Sequence, residues 1–371
     1  MSQPRVLKEQ ELRDILNGAC ILGCGGGGPL SIGSAILDDI LKLGAPVLLA
    51  DPASIAPDAT MAVSADVGSP NAASGGAFDF GAATVAYDVL DGLQKVGKPF
   101  THVLPGEVGA GNTMIPMSVA VRKGIPVVDA AGARRAIPSL SMCTYASKGV
   151  PISPIAVANA ANQVTLSVED VATAEAAVHG IISGNTFGQV AGVGFWAMTG
   201  VTMQGAAMLG TTTYAEGLGR ALRLALAGKG DPVEAVRGYL EGWVLFVGKI
   251  DSSGSQTSGG FDYGRTVLKS DDGGEVWILN QNENLIAWNT QRSTPLAMAP
   301  DLITYVTTDG LVFSNADMDV AKGKTVAIIG AKAPPQLRVK SIVDAFTATL
   351  RQMAWYIGPY VPIEELQPSR R

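Results

Sequence analysis

The stretch His102-Val-Leu104, then Pro105-Gly-Glu-Val-Gly-Ala-Gly-Asn112, then a helical run over 113–123 and Ile125-Pro-Val-Val128 gives a strand, a glycine-rich loop, a helix and a second strand. The same alternation holds upstream, where the apolar runs Pro46–Ala50 and Thr60–Ser64 precede a helical stretch near 81–96. Strands alternating with helices predict an α/β domain, a parallel sheet with helices on both faces in three layers. Ligands of such sheets sit beyond the carboxyl ends of the strands. The loops expected there are Asp66–Asp79, Pro105–Asn112 and Asp129–Pro138, all rich in glycine, acid or proline.

Working outward, Leu12, Ile15, Leu16 and Ala19 have the spacing of an amphipathic helix. Gly23 to Gly28 breaks it, and Pro29 opens a second helix that Gly44 ends. Further helices are expected near 169–183 and 215–240. The pattern then changes to short β-rich pieces: Trp243–Val247, Arg265–Leu268, Glu275–Leu279, Leu285–Trp288, Leu302–Val306 and Thr325–Ile329. Ser252-Ser-Gly254, Asp272-Gly-Gly274 and Asp309-Gly310 separate them as turn signals. Residues 339–354 read as helix again. The expected organisation is an α/β domain over 1–240, a smaller β-rich domain over 243–330, and a C-terminal segment, 331–371, packing back on the first.

Composition narrows the function classes. The 371 residues include 45 glycines, which points to tight turns and a backbone-built binding loop. A net charge of −6 argues against a nucleic-acid partner, which requires a basic surface. Gly180 to Ala215 has no charged residue, but its glycines and amides read as buried strands and turns, not as a membrane span. Three cysteines do not make a disulfide framework, and the N-terminus has no apolar signal region. A cytoplasmic protein with a small-molecule substrate, forming a homo-oligomer, is expected.

The sharpest local feature is Gly23-Cys-Gly-Gly-Gly-Gly-Pro29. It satisfies G-x-G-x-x-G, and Asp51 follows an apolar run, which imitates a dinucleotide fingerprint. A strand should precede those glycines, whereas an amphipathic helix does. The wider reading is a loop whose N–H groups at Gly25, Gly26, Gly27 and Gly28 hold an anionic or carbonyl oxygen. Cys24 is either a thiol activated beside a helix N-terminus or an inert buried residue. Glu107, past a strand among permissive glycines, is a general base or acid, or else a helix cap. Asp129 and Arg135 either pair structurally, or Arg135 grips a substrate carboxylate. His102 and His179 are the two histidines, and no metal site or cofactor is expected.

These stretches together resemble the bacterial family named for S-methyl thiohydantoin desulfurase. The resemblance rests on Gly23–Pro29, Gly68-Ser-Pro70, Glu107 with Gly109, Gly111 and Asn112, Pro126–Asp129 through Arg135–Pro138, Gly210-Thr211, Gly219–Ala221 and Gln281–Ile286. It implies breakdown of cyclic amides or thioamides, often beside hydantoinase and oxoprolinase genes. It also implies an α/β domain with a smaller β-rich one, Asn112 and Thr211 in the substrate site, and Asp129 among the catalytic residues. Ala131 and Arg134 depart from the family pattern of an acid and a glycine, and position 24 is often Ser or Thr. The resulting expectation is a hydrolase of a thiohydantoin- or hydantoin-like ring. In it Glu107 activates water, the glycine loop holds developing charge and Arg135 holds a substrate carboxylate. The alternatives are an NAD(P)-dependent oxidoreductase and a non-catalytic ligand-binding subunit of a hydantoinase-type complex.

Overall fold

The computed structural model describes residues 3–69, 78–93, 98–184 and 186–367. Most of the expected Asp66–Asp79 loop, the end of the 81–96 helical stretch and Pro70 of the family motif lie outside those residues.

The first sheet contains β1 (Arg5–Leu7), β2 (Val47–Ala50), β3 (Thr60–Gly68), β4 (His102–Pro105), β5 (Val127–Val128), β7 (Ile155–Ala158), β8 (Gln163–Leu166) and β9 (Val190–Thr199). Its order is β1-β2-β5-β4-β3-β9-β7-β8. The four strands read from the sequence, β2, β5, β4 and β3, are parallel. The other four are antiparallel, so the sheet is mixed and not purely parallel as expected. For β7 and β8 the reason is local. Between β7 and β8 the chain has only the turn Asn159–Asn162, where Asn159 Oδ1 accepts from the amides of Ala161 and Asn162. So short a connection permits only antiparallel pairing.

Alternate strand residues feed two cores, as a period of two requires. Leu49, Ala62, Val103 and Val127 pack with the helices Glu9–Leu22, Leu30–Leu43, Ala82–Leu93 and Ala110–Lys123. Ala50, Met61, Val63, Leu104 and Val128 pack with Val178 and Ile182 of the helix Val171–Ile182. The expected helix over 215–240 is two, Thr211–Ala227 and Pro232–Tyr239. Gly228 and Gly230 interrupt it, and Asp231 caps the second with Pro232 at its first position. A two-stranded ribbon pairs β6 (Ala130–Ala131) with β10 (Met208–Leu209).

The second sheet is antiparallel throughout. It contains β11 (Trp243–Ser258), β12 (Phe261–Lys269), β13 (Glu275–Gln281), β14 (Glu283–Asn289), β15 (Thr294–Met298), β16 (Leu302–Thr307) and β17 (Thr325–Ala331), in the order β15-β14-β13-β12-β11-β17-β16. Six of the seven were legible as apolar runs, while β15 was missed because Thr294-Pro-Leu-Ala-Met298 carries a proline and no alternation. The helix Lys340–Gln352 buries Ile342, Phe346 and Leu350 against Met142 from the first part of the chain and Leu285 and Met298 from the second sheet. Among the described residues no helix is long and apolar enough to cross a membrane.

Candidate functional site

The glycine loop and the loop after β4 meet backbone against backbone. Gly27 and Gly28 have φ of 69° and 89°, the left-handed region that favours glycine. A Cβ on Gly27 would lie 2.6 Å from Gly109 Cα, and one on Gly28 would lie 2.9 Å from Gly111 Cα. At that approach the Gly27 carbonyl accepts the amides of Gly111 and Asn112 (2.9 and 3.1 Å), the first turn of the helix Ala110–Lys123. The tight turn between β13 and β14, with Asn282 at φ 54°, lies beneath the same loop. There Asn284 N donates to Cys24 O (2.7 Å), Asn315 N to Gly25 O (2.8 Å), and Gly27 N to Glu283 Oε1 (3.2 Å).

This junction walls a cavity of about 110 Å³. Its polar lining includes Asp66, Glu107, Asn112, His179, Asn282 and Glu283, and its apolar lining includes Phe78, Ile115, Phe195, Trp196 and Phe261. Asn112 joins two of the carboxylate positions. Its Nδ2 donates to Glu107 Oε1 (2.8 Å), and its Oδ1 accepts the Asp66 amide (3.0 Å). Glu107 Oε2 accepts the Ile137 amide (2.7 Å).

Burial decides the protonation of these acids. It pushes Glu107 up to about 7 against the pull of Asn112, the Ile137 amide and the Arg135 charge. Asp66 also rises to about 7, through burial and the nearby charge of Asp79, and its Oδ1 has no partner among the described residues. Glu283 lies well above the carboxylate range, first from burial and then from the charge of Glu107. Its Oε2 is buried without a partner among the described residues. Burial lowers His179 to about 4, so it is neutral at pH 7. A carboxylate near 7 beside a carboxyl that keeps its proton is an acid–base pair separated by environment.

Of the residues expected in the site, Glu107, Asn112, Gly27 and Gly28 line this cavity, and the others do not. The Gly26 N–H donates to Gly23 O and the Gly27 N–H to Glu283, so neither is free to hold a ligand oxygen. The Gly28 N–H has no partner among the described residues. Gly25 faces a separate polar cavity beside Asn280 and Asn315. Cys24 is fully buried and burial raises its pKa, the reverse of an activated thiol. Cys20, Cys24 and Cys143 are free thiols.

Arg135 is wholly buried, and its guanidinium donates to the carbonyls of Ala136, Pro300, Asp301 and Asn284. It is a structural clasp between the two parts of the chain, with four of its five N–H donors on carbonyls and no place in the cavity lining. Asp129 Oδ1 accepts the amides of Thr212 and Thr213 (2.8 and 3.1 Å), capping the helix Thr211–Ala227 in place of pairing with Arg135. Thr211 is the first residue of that helix, buried away from the cavity. Sequence reasoning missed Asp66, Glu283 and Asn282 as site residues. Asp66 stood at the edge of a loop expected at the site, and Glu283 stood inside the Gln281–Ile286 motif without a role. Among the described residues no cluster of three or more His, Cys, Asp or Glu is arranged to hold a metal ion.

Fold and site together define a mixed α/β protein whose second, antiparallel sheet closes a carboxylate-lined cavity. Residues 10–168 match the N-terminal domain and residues 169–348 the C-terminal domain of the S-Me-THD-like family, and the chain belongs to that family. It is similar to a protein from Chromobacterium violaceum whose crystal structure was solved as a structural genomics target. The identity is 31% and the TM-score 0.83, over 97% of this chain and 100% of that one. A search of curated proteins gives no match.

Proposed function

We propose that this protein is a hydrolase of a small five-membered cyclic amide or thioamide, a thiohydantoin- or hydantoin-like ring. The observation that carries the reading is the pairing of Glu107, near pKa 7, with Glu283, which keeps its proton, at one small cavity. The family's name points to the same ring chemistry. Glu107 takes a proton from water as the water oxygen bonds to the ring carbon bearing sulfur or oxygen. The Gly28 N–H donates to the charge that develops there. Glu283 then gives its proton to the leaving atom, sulfur when a C–S bond breaks in hydrolytic desulfurisation, nitrogen when a C–N bond breaks. Water is thereby divided between the two products, and the proton gained by Glu107 returns the pair to its starting charge by exchange with Glu283.

The dinucleotide alternative has no support at this site, because the glycine run follows the helix Glu9–Leu22 and Asp51 caps the short turn Pro52–Ser54. The test is turnover of hydantoin, 2-thiohydantoin and S-methyl thiohydantoin by the purified chain, followed by ring absorbance and thiol release. Loss of ring absorbance that disappears in Glu107→Gln supports the reading. Stabilisation by NAD(P) with no turnover of any ring overturns it.

A further inference from the structure

We propose that the cavity accepts an uncharged ring bearing an apolar, aromatic-sized substituent and rejects the same ring bearing an anionic one. The ring rests on the hydrolase reading above, whereas the charge selection does not. Among the described residues lining the cavity there is no lysine or arginine, while three acids, Asp66, Glu107 and Glu283, line it. Residues 70–77, outside the described set, contain no charged residue in their sequence. His179 is neutral at pH 7, and Arg135, whose charge reaches Glu107 and Glu283, lies outside the lining with four of its five N–H donors on backbone carbonyls. An anionic substituent would therefore lose its water beside three acids with no cation in the lining to replace it, the nearby Arg135 charge being already shared with Glu107 and Glu283.

The rest of the wall is built for an apolar group. In a regular strand Phe195 and Trp196 would point to opposite faces of the sheet. Here the register against β3 slips between Met61 and Val63, and Trp196 takes φ 48°. At this bulge both residues line the cavity and share one core. Their rings lie 4.7 Å apart. Phe261, from β12, is held against His179 at 4.2 Å, so the second sheet supplies a further aromatic surface. Such rings give contact area with little conformational entropy to lose on binding.

The test is calorimetric titration of the full chain at pH 7.5 with hydantoins carrying 5-benzyl, 5-(2-carboxyethyl) or 5-(4-aminobutyl) groups, and with phenylacetamide and phenylacetate. The benzyl ligand should bind tightest, at least about tenfold above the carboxyethyl one, since a like charge about 4 Å away in a partly buried site exceeds that factor. Asp66→Asn should narrow that gap and Phe261→Ala should weaken the benzyl ligand. Tightest binding by the aminobutyl ligand overturns the apolar substituent, and equal binding of the carboxyethyl ligand overturns the charge selection. If every hydantoin fails while phenylacetamide still exceeds phenylacetate, the ring reading falls and the charge selection stands. Binding by none of the five overturns both.

Discussion

Ionised Glu107 helps to hold the proton on Glu283. Both carboxyls are buried at one cavity, but Glu107 accepts from Asn112 and the Ile137 amide through its two oxygens, whereas Glu283 accepts one amide and leaves Oε2 bare. Hydrogen bonds to the charged form favour it, so the better hydrogen-bonded partner ionises first and its charge then opposes ionisation of the other.

Glu107→Gln should lower turnover of a cyclic amide or thioamide by about 10²–10⁴, the usual contribution of general-base catalysis. The fold should survive, because glutamine keeps one acceptor for either Asn112 or Ile137. Near-wild-type turnover by the variant would remove Glu107 from the mechanism.

The rate and the stability should respond to pH in opposite directions. With its pKa near 7, Glu107 becomes a competent base as pH rises through 7, so kcat/KM should increase there. Asp66 has a folded pKa of about 7 against 3.8 unperturbed, and Glu107 about 7 against 4.5. Between these limits the folded chain binds more protons than the unfolded one, so their contribution is complete at low pH and is lost as pH rises. Denaturant titrations at pH 5 and 8 should show wild type losing stability relative to Asp66→Asn, on the order of 1 kcal/mol per pH unit. A gap that does not change with pH would contradict the burial of Asp66.

Asp129→Ala should cost about 0.5–2 kcal/mol of stability, the usual loss for an N-cap whose side chain accepts the first helical amides. Turnover by the folded fraction should stay near wild type. A large fall in kcat with an unchanged melting temperature would instead give Asp129 a role in the reaction.

Arg135→Lys should be far more damaging to stability, by about 3–5 kcal/mol. One ammonium cannot meet the four carbonyls that the guanidinium serves, and a buried charge that loses its partners is strongly unfavourable. Calorimetric unfolding reads this directly, and a melting temperature within a degree of wild type would refute the clasp.

Cys24→Ser should keep activity within about tenfold of wild type, because the buried thiol does not touch the cavity and Asn284 binds its backbone carbonyl. Collapse of turnover in a folded variant would restore the thiol to the chemistry.

Local chemistry written in the sequence was read from it directly. Apolar runs and helical periodicity located the central strands β2 to β5, most of the second sheet and the helices, because each records which face of its own element is buried. Gly23–Pro29 and Pro105–Asn112 were recognisable as special loops, since runs of glycine mark places where backbone approaches backbone. Glu107 was singled out for that reason, and Asn112 through the family resemblance.

What the sequence could not carry is which distant groups would share one environment. Arg135 looked like a substrate anchor and Asp129 like its ion-pair partner or a catalytic acid, because a charge in a loop reads the same whether it meets substrate, carbonyls or helix amides. Only the chain crossing at Pro300 and Asp301, and the start of the helix at Thr211, made one a clasp and the other a cap. Glu283 is separated from Gly27 by 256 positions, and no local period reports such a contact. The amino-acid sequence by itself determined the elements and the loops. Tertiary structure decided the protonation of the acids, because a carboxyl's pKa depends on the water and charges around it, and those were set by the second sheet closing over the first.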